Sequence, residues 1–398
     1  MVRSSSRRLL VFTTAVAMLS MILVAAPLST AATLSTAATR AQSLSIPDPA
    51  PDVAPGTLLG SAPIAGGGPM GAKAYRLVYA SRSVSGAPIA VTGFAYLPAG
   101  PAPKGGWPVL SYAHGTVGLA DRCAPSRKPG TAEQFIGLSF VGLGMAVVAT
   151  DYEGLGAPGR HPYLVGESEG RGVLDIVRAA RQLPSESISA RTLIWGHSQG
   201  GHAALFAGQL ASTWAPELTL LGVVAGAPPS QLTTVADSIS TSPYRGYLFM
   251  VAAGLAAADP SLNLNDVLTE KGQQLLGVVD TGCNTEVFKT FSADPLDELV
   301  KRDGFRSGRW ATALLANEPG KVRILAPVLI VHGDRDEQIP VSTSASLLSR
   351  MCAAKTRTRR VVYPGQDHTG AALVSIFDVI SFASDRLAGK AAKSSCRR

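Results

Sequence analysis

The sequence predicts an α/β protein: a mostly parallel β-sheet covered by helices on both faces, with a mainly helical cap inserted late in the chain. Three observations carry this expectation. Short apolar runs alternate with helix-length amphipathic segments, the pattern of a parallel sheet buried on both sides. One such strand runs directly into a helix through Gly196-His197-Ser198-Gln199-Gly200. The alternation then stops from about Pro229 to Ala326, too long a stretch for an ordinary connection, and resumes towards the C-terminus.

Taken in order, residues 42–70 are rich in Pro, Ala and Gly and are expected to form an irregular lead-in, with the domain proper at 71–398. Ala74–Ser81 and Pro88–Leu97 read as strands joined by a turn at Ser83–Gly86. Pro108–Ala113 and Met145–Thr150 are short apolar strands. Gly172–Leu183 is a helix, because Val173, Ile176, Val177, Ala180 and Leu183 recur on one face. Thr192–Trp195, Gln199–Ala211 and Leu218–Ala225 continue as strand, helix, strand. The cap, about 229–326, reads as helices and loops and contains an apolar, small-residue segment, Tyr247–Ala258. Val322–His332, Thr343–Ala353, Arg359–Tyr363 and Ala371–Leu387 complete the pattern as strand, helix, strand and final helix.

Composition narrows the partners. The chain has 398 residues, 46% of them hydrophobic and 16% charged, which excludes a disordered polymer. A formal net charge of +8 invites a nucleic-acid or membrane-surface reading. Part of that charge belongs to the N-terminus, where Arg3, Arg7, Arg8 and Arg40 all precede the first carboxylate, Asp48. A basic start, an apolar run from Leu9 to Ala26, Pro27 and two small-residue stretches follow the order of a secretory signal peptide, with 1–41 as signal and processing region. A membrane anchor is the competing reading. The small-residue cleavage sites favour removal, so a secreted chain with no integral membrane span is expected. Elsewhere Lys and Arg are scattered, without the broad basic patch that nucleic acid requires.

Export bears on the four cysteines, Cys123, Cys283, Cys352 and Cys396. They contain no CxxC spacing and are expected to form two disulfides, for which three connectivities exist. No cofactor is expected. Gly66–Gly71 and Gly154–Gly159 spell a dinucleotide glycine pattern, but the first lacks a preceding strand and the second cannot open a helix at Gly159-Arg160-His161-Pro162. His197 and His202 have no convergent acids or cysteines, so no metal is expected either. His161, beside Pro162, reads as a surface or loop residue.

The GxSxG pattern occurs twice. In Gly166-Glu167-Ser168-Glu169-Gly170 the serine lies between carboxylates, which oppose an alkoxide-like nucleophile, and no apolar strand precedes it. That match reads as a turn and helix start. In Gly196-His197-Ser198-Gln199-Gly200 the strand runs straight in and a small-residue helix straight out, presenting Ser198 at a helix N-terminus as a candidate nucleophile. A hydroxyl needs a base, and the base an orienting acid, in the chain order Ser, acid, His. His368, on the loop before the last helix, is the candidate base, since His202 sits on the exit helix and His332 precedes the acid loop. Asp336 is the candidate acid, ahead of Asp334, which reads as a turn residue beside a solvated Glu337. Backbone N–H groups of Gln199 and Thr116 are the candidate oxyanion donors, Thr116 lying on the loop that leaves the Leu110–Ala113 strand.

These residues resemble the secretory lipase family of the lipase A type, within the α/β-hydrolases. The resemblance is carried by Ser111-Tyr112-Ala113-His114-Gly115-Thr116, Cys123-Ala124-Pro125-Ser126, Asp151-Tyr152-Glu153-Gly154-Leu155-Gly156, Gly196-His197-Ser198-Gln199-Gly200 and the Asp336 and His368 loops. It implies an α/β-hydrolase fold with a helical cap between the sixth and seventh core strands. It also implies hydrolysis of carboxylic esters, often triacylglycerols, with transient contact at a lipid interface. The disulfides it implies are Cys123–Cys283 and Cys352–Cys396. Two other readings stand beside it: an esterase or polyesterase for short-chain or aromatic esters, and a non-catalytic hydrolase-fold binding module.

Overall fold

The structure is a computed structural model that describes residues 44–396. The segment read as a signal peptide and processing region lies outside the described residues. Nine strands form one sheet: β1 (Leu58–Pro63), β2 (Lys73–Arg82), β3 (Pro88–Leu97), β4 (Trp107–Ala113), β5 (Ala146–Thr150), β6 (Ile188–His197), β7 (Thr219–Gly226), β8 (Val328–Gly333) and β9 (Thr358–Tyr363). Their spatial order is β1-β2-β3-β5-β4-β6-β7-β8-β9. The first three pairings are antiparallel, and every pairing from β5 to β9 is parallel. This is the mostly parallel sheet of an α/β-hydrolase. β5 and β8 are buried along their whole length, which is why they read as uninterrupted apolar runs.

The helices preceding the inserted segment are α1 (Thr131–Val141), α2 (Gly166–Ala180) and α3 (Gln199–Trp214). The first GxSxG match lies within α2 and serves packing. A Cβ on Gly166 would lie 2.3 Å from the Phe206 ring, and one on Gly170 would lie 2.8 Å from Ala207 N, so these glycines admit α3 at close range. Between β7 and β8 stand α4 (Leu232–Ser240), α5 (Gly246–Ala258), α6 (Glu270–Leu275), α7 (Val278–Thr281), α8 (Asn284–Ser292) and α9 (Gly308–Ala316). α5 is apolar all round because it is the buried centre of this cap, with Phe249 stacked on Phe291 of α8. No helix among the described residues is long and apolar enough to cross a membrane. The chain ends with α10 (Val341–Ala353), α11 (His368–Val374) and α12 (Ile376–Leu387). Disulfides join Cys123 to Cys283 and Cys352 to Cys396, the first tying the start of α8 to the loop after β4.

Three expectations need correction. Leu58–Pro63, placed in the irregular lead-in of 42–70, is a strand that completes the antiparallel edge by pairing with β2. Val322–Ala326 is not strand, since β8 begins after Pro327, where it can pair with β7. The final helix is two, divided at Ser375.

Candidate active site

β6 delivers Ser198 and α3 begins at the next residue. Ser198 has φ 59° and ψ −126°, a conformation costing a non-glycine residue about 1–3 kcal/mol. Its N–H donates to the Gly226 carbonyl at 2.8 Å, and its own carbonyl accepts from Gly201 and His202 N–H at 2.8 and 3.2 Å. The flanking glycines are a steric necessity. A Cβ on Gly196 would stand 2.1 Å from the Gly200 carbonyl oxygen, and one on Gly200 would stand 1.9 Å from that of Ala113.

β8 leads into the Asp336 loop, and the loop after β9 ends at His368, the first residue of α11. Asp367 caps that helix by accepting from Gly370 N–H at 2.6 Å, which fixes where the His368 side chain emerges. His368 Nδ1 is 2.7 Å from Asp336 Oδ2. A carboxylate at Nδ1 keeps the proton there and leaves the Nε2 lone pair free for base chemistry. The other Asp336 oxygen accepts from Gln338 and Ile339 N–H at 2.9 and 2.8 Å. Burial opposes ionisation of Asp336, but hydrogen bonds from His332 and His368 overcome it and hold the carboxyl well below the usual range.

His332, whose Nε2 lies 3.1 Å from Asp336 Oδ2, was not expected at the site; its signal is the four-residue step from His332 to Asp336. The same Nε2 faces the Ile339 carbonyl at 3.0 Å, so it carries a proton, while Nδ1 is buried without a partner. Among the described residues Asp334 accepts only from Gly365 N–H, in a turn. Glu337 is exposed, yet it accepts from the His368 N–H at 3.1 Å. Asp336 and His368 are therefore brought together. Among the described residues no hydrogen bond joins Ser198 to His368; the His197 ring, next to Ser198, stands 4.6 Å from the His368 ring between centroids. Burial and the neighbouring His368 push the His197 pKa down to about 3, so this ring is neutral.

The loop carrying Thr116 runs against the elbow. A Cβ on Gly115 would lie 3.3 Å from the His197 carbonyl oxygen and 3.8 Å from Ser198 Cβ. Among the described residues, no acceptor takes the backbone N–H of Thr116 or Gln199. Thr116 is held from three sides: its hydroxyl is 2.7 Å from the Tyr163 hydroxyl, its carbonyl accepts from Asn284 Nδ2, and Asn284 N–H donates to the adjacent Val117 carbonyl at 3.2 Å. Asn284 belongs to the cap, so its part in this loop is visible only in the fold.

Ser198 opens onto a narrow apolar cavity. α4 lines it with Val235 and Ile239, α5 with Val251 and α9 with Leu314. His161, read as a surface or loop residue, lies on a loop but is buried: its ring stacks on Tyr152 at 5.5 Å, and its Nε2 lies 2.8 Å from the Gln199 side-chain nitrogen. Burial pushes its pKa down to about 4.

The profile of the secretory lipase family matches residues 132–395. A secreted triacylglycerol lipase of Malassezia globosa is 27% identical over 300 residues, 70% of this chain and 65% of the relative, so the match spans just under two thirds of that protein. A probable inactive lipase of Mycobacterium tuberculosis is 27% identical over 346 residues, 81% of this chain and 75% of the relative. The closed-state crystal structure of Candida antarctica lipase A superposes with a TM-score of 0.74 at 23% identity, covering 86% of this chain and 84% of that one, which bears on the fold. With the family profile covering most of the chain, the protein belongs to the secretory lipase family.

Proposed function

We propose that this protein is an exported serine carboxylic ester hydrolase, a lipase that cleaves triacylglycerol or other acyl esters through an acyl-enzyme. The observation that carries the reading is the Asp336–His368 hydrogen bond at the same C-terminal end of the parallel strands as a positive-φ Ser198 that opens into an apolar cavity. Ser198 Oγ attacks the ester carbonyl while His368 Nε2 takes its proton, and Asp336 stabilises the resulting imidazolium. The N–H groups of Thr116 and Gln199 receive the oxyanion. Collapse of the tetrahedral species expels the alcohol, which leaves with the proton from His368. Water then enters and attacks the acyl carbonyl as His368 takes its proton; the second tetrahedral species releases the acid while His368 returns the proton to Ser198 Oγ.

An acyl chain suits the cavity because its walls are apolar and come mostly from the cap, with Tyr163, Tyr247 and Phe305 set among aliphatic side chains. Export is supported by the signal-like N-terminus, the two disulfides and the secreted relative. Ser198→Ala is expected to abolish ester hydrolysis and fluorophosphonate labelling while the protein stays folded by circular dichroism. Labelling or turnover that survives in the variant would refute Ser198 as the nucleophile, whereas failure of the unaltered protein to label would favour a non-catalytic module. A series of nitrophenyl esters separates a lipase, which prefers long acyl chains, from a short-chain or aromatic esterase. In Val251→Trp, whose indole fills the cavity, long-chain turnover should fall more than butyrate turnover.

A further inference from the structure

The residue after Ser198 does more in this fold than offer a backbone N–H. The Gln199 side chain is buried and its Nε2 has two acceptors: Glu169 Oε1 at 2.9 Å and His161 Nε2 at 2.8 Å. His161 is a true acceptor, because its Nδ1 faces the Glu153 carbonyl at 2.9 Å and must carry the ring's proton. Glu169 is fully buried and has three donors. Besides Gln199, the Leu164 N–H donates to Oε1 at 3.1 Å, and His202 Nδ1 meets Oε2 at 2.7 Å. His202 Nε2 faces the Asn317 carbonyl at 2.8 Å, so both of its nitrogens carry protons and the ring is a cation paired with Glu169. Burial works against that charge, and the Glu169 hydrogen bond and charge override it, raising the His202 pKa.

This network lies where the elbow is under strain. Ser198 occupies φ 59°, ψ −126°, and one relaxation open to it is rotation about its ψ. That rotation turns the 198–199 peptide, and with it the N–H assigned to the oxyanion. It also carries the Gln199 side chain away from Glu169 and His161. The same network reaches the other donor: His161 stacks on Tyr152, whose hydroxyl donates at 2.9 Å to the His114 carbonyl, two residues before Thr116.

We propose that Glu169 is a positioning residue of this enzyme, acting through the Gln199 side chain to hold the Gln199 N–H at the oxyanion position. The proposal rests on the serine-hydrolase reading above. It gives the discounted GxSxG match a function: its glycines let α2 lie close to α3, and its second glutamate, Glu169, anchors the elbow.

The test is a double-mutant cycle on soluble p-nitrophenyl butyrate with Glu169→Gln, Gln199→Ala and both together. Glu169→Gln can fold, because the new carbonyl still accepts from Gln199 and Leu164 while its NH₂ donates to a neutral His202. It exchanges a charge-assisted anchor for a weaker one. Complete loss of an oxyanion donor costs about 10²–10³-fold in kcat, so a loosened donor should cost about tenfold in each single variant, with KM unchanged. The double variant should lose no more than the worse single one, and fluorophosphonate labelling should slow in parallel. An unchanged kcat in Glu169→Gln, or losses that multiply in the double variant, overturns the proposal. Full activity in Ser198→Ala would instead remove the reading of Ser198 as nucleophile beneath it. If Gln199→Ala does not fold, Gln199→Glu replaces it: a second carboxylate facing Glu169 should lower kcat, and retained activity again overturns the proposal.

Discussion

Replacing Asp336 with Asn tests the site most directly, because the structure sets the size of the effect. One oxygen of Asp336 receives the ring N–H groups of His368 and His332, and the other receives two backbone N–H groups. An amide keeps only one oxygen. Whichever way it turns, its NH₂ faces two donors that lose their acceptor. His368 escapes by moving its proton to Nε2, the wrong nitrogen for a base, and in a Ser-His-Asp site this substitution lowers kcat by about 10⁴-fold. Two lost charge-assisted bonds in a buried site cost roughly 3–5 kcal/mol of stability. At roughly 1–2 °C per kcal/mol for a domain of this size, Tm should fall by roughly 3–10 °C. The matched control is Asp334→Asn, which touches a single exposed N–H and should keep kcat within about threefold and lose under 1 kcal/mol. Turnover of nitrophenyl butyrate and scanning calorimetry read both quantities. If Asp336→Asn keeps more than about a tenth of wild-type kcat, or Asp334→Asn loses as much, the assignment of the acid is wrong.

Further outcomes follow from single features. Gly200→Ala places a methyl 1.9 Å from a backbone oxygen of β4 that cannot yield, so it should prevent accumulation of folded protein, read as soluble yield and circular dichroism. Removing Cys123–Cys283 (sequence separation 160) and Cys352–Cys396 (separation 44) by paired Ser substitutions should cost up to about 5 and about 4 kcal/mol in urea unfolding. Only loss of the first should also depress kcat, because it frees the Thr116 loop; equal kcat in the two variants would contradict this. His161 has its folded pKa lowered from 6.5 to about 4, so above pH 6.5 neither folded nor unfolded chain takes up its proton. Below 6.5 the unfolded chain binds it first, and stability falls by about 3 kcal/mol as pH drops to about 4. Tm measured against pH should decline over that window, less steeply in His161→Gln; identical slopes would exclude His161 as the cause.

What could be read from the letters was local. Ser198 is signalled by a strand, two glycines and a helix in contiguous sequence, and the parallel strands by uninterrupted apolar runs. β1 gave no such signal, because Leu-Leu-Gly-Ser-Ala-Pro is a weak strand sequence that takes its conformation from pairing with β2. Val322–Ala326 carried an apolar pattern that no neighbouring strand pairs with. Glu169 and His161 lie 30 and 38 positions before Gln199 and meet it only when α2 packs on α3, so their network has no spacing to recognise. Buried polar groups follow the same rule throughout: their partners are chosen by the fold.

The attachment of α8 to the Thr116 loop divides the cap into parts with different freedom to vary. At its α8 end, Asn284 and the Cys123–Cys283 bond join the cap to the segment assigned to oxyanion binding, so a displacement there reaches the reacting centre. α4 and α9 line the cavity far along the chain from that join. Substrate preference can therefore diverge through substitutions in α4 and α9 at little expense to turnover. The first turn of α8 is held to one geometry for as long as the chemistry is kept.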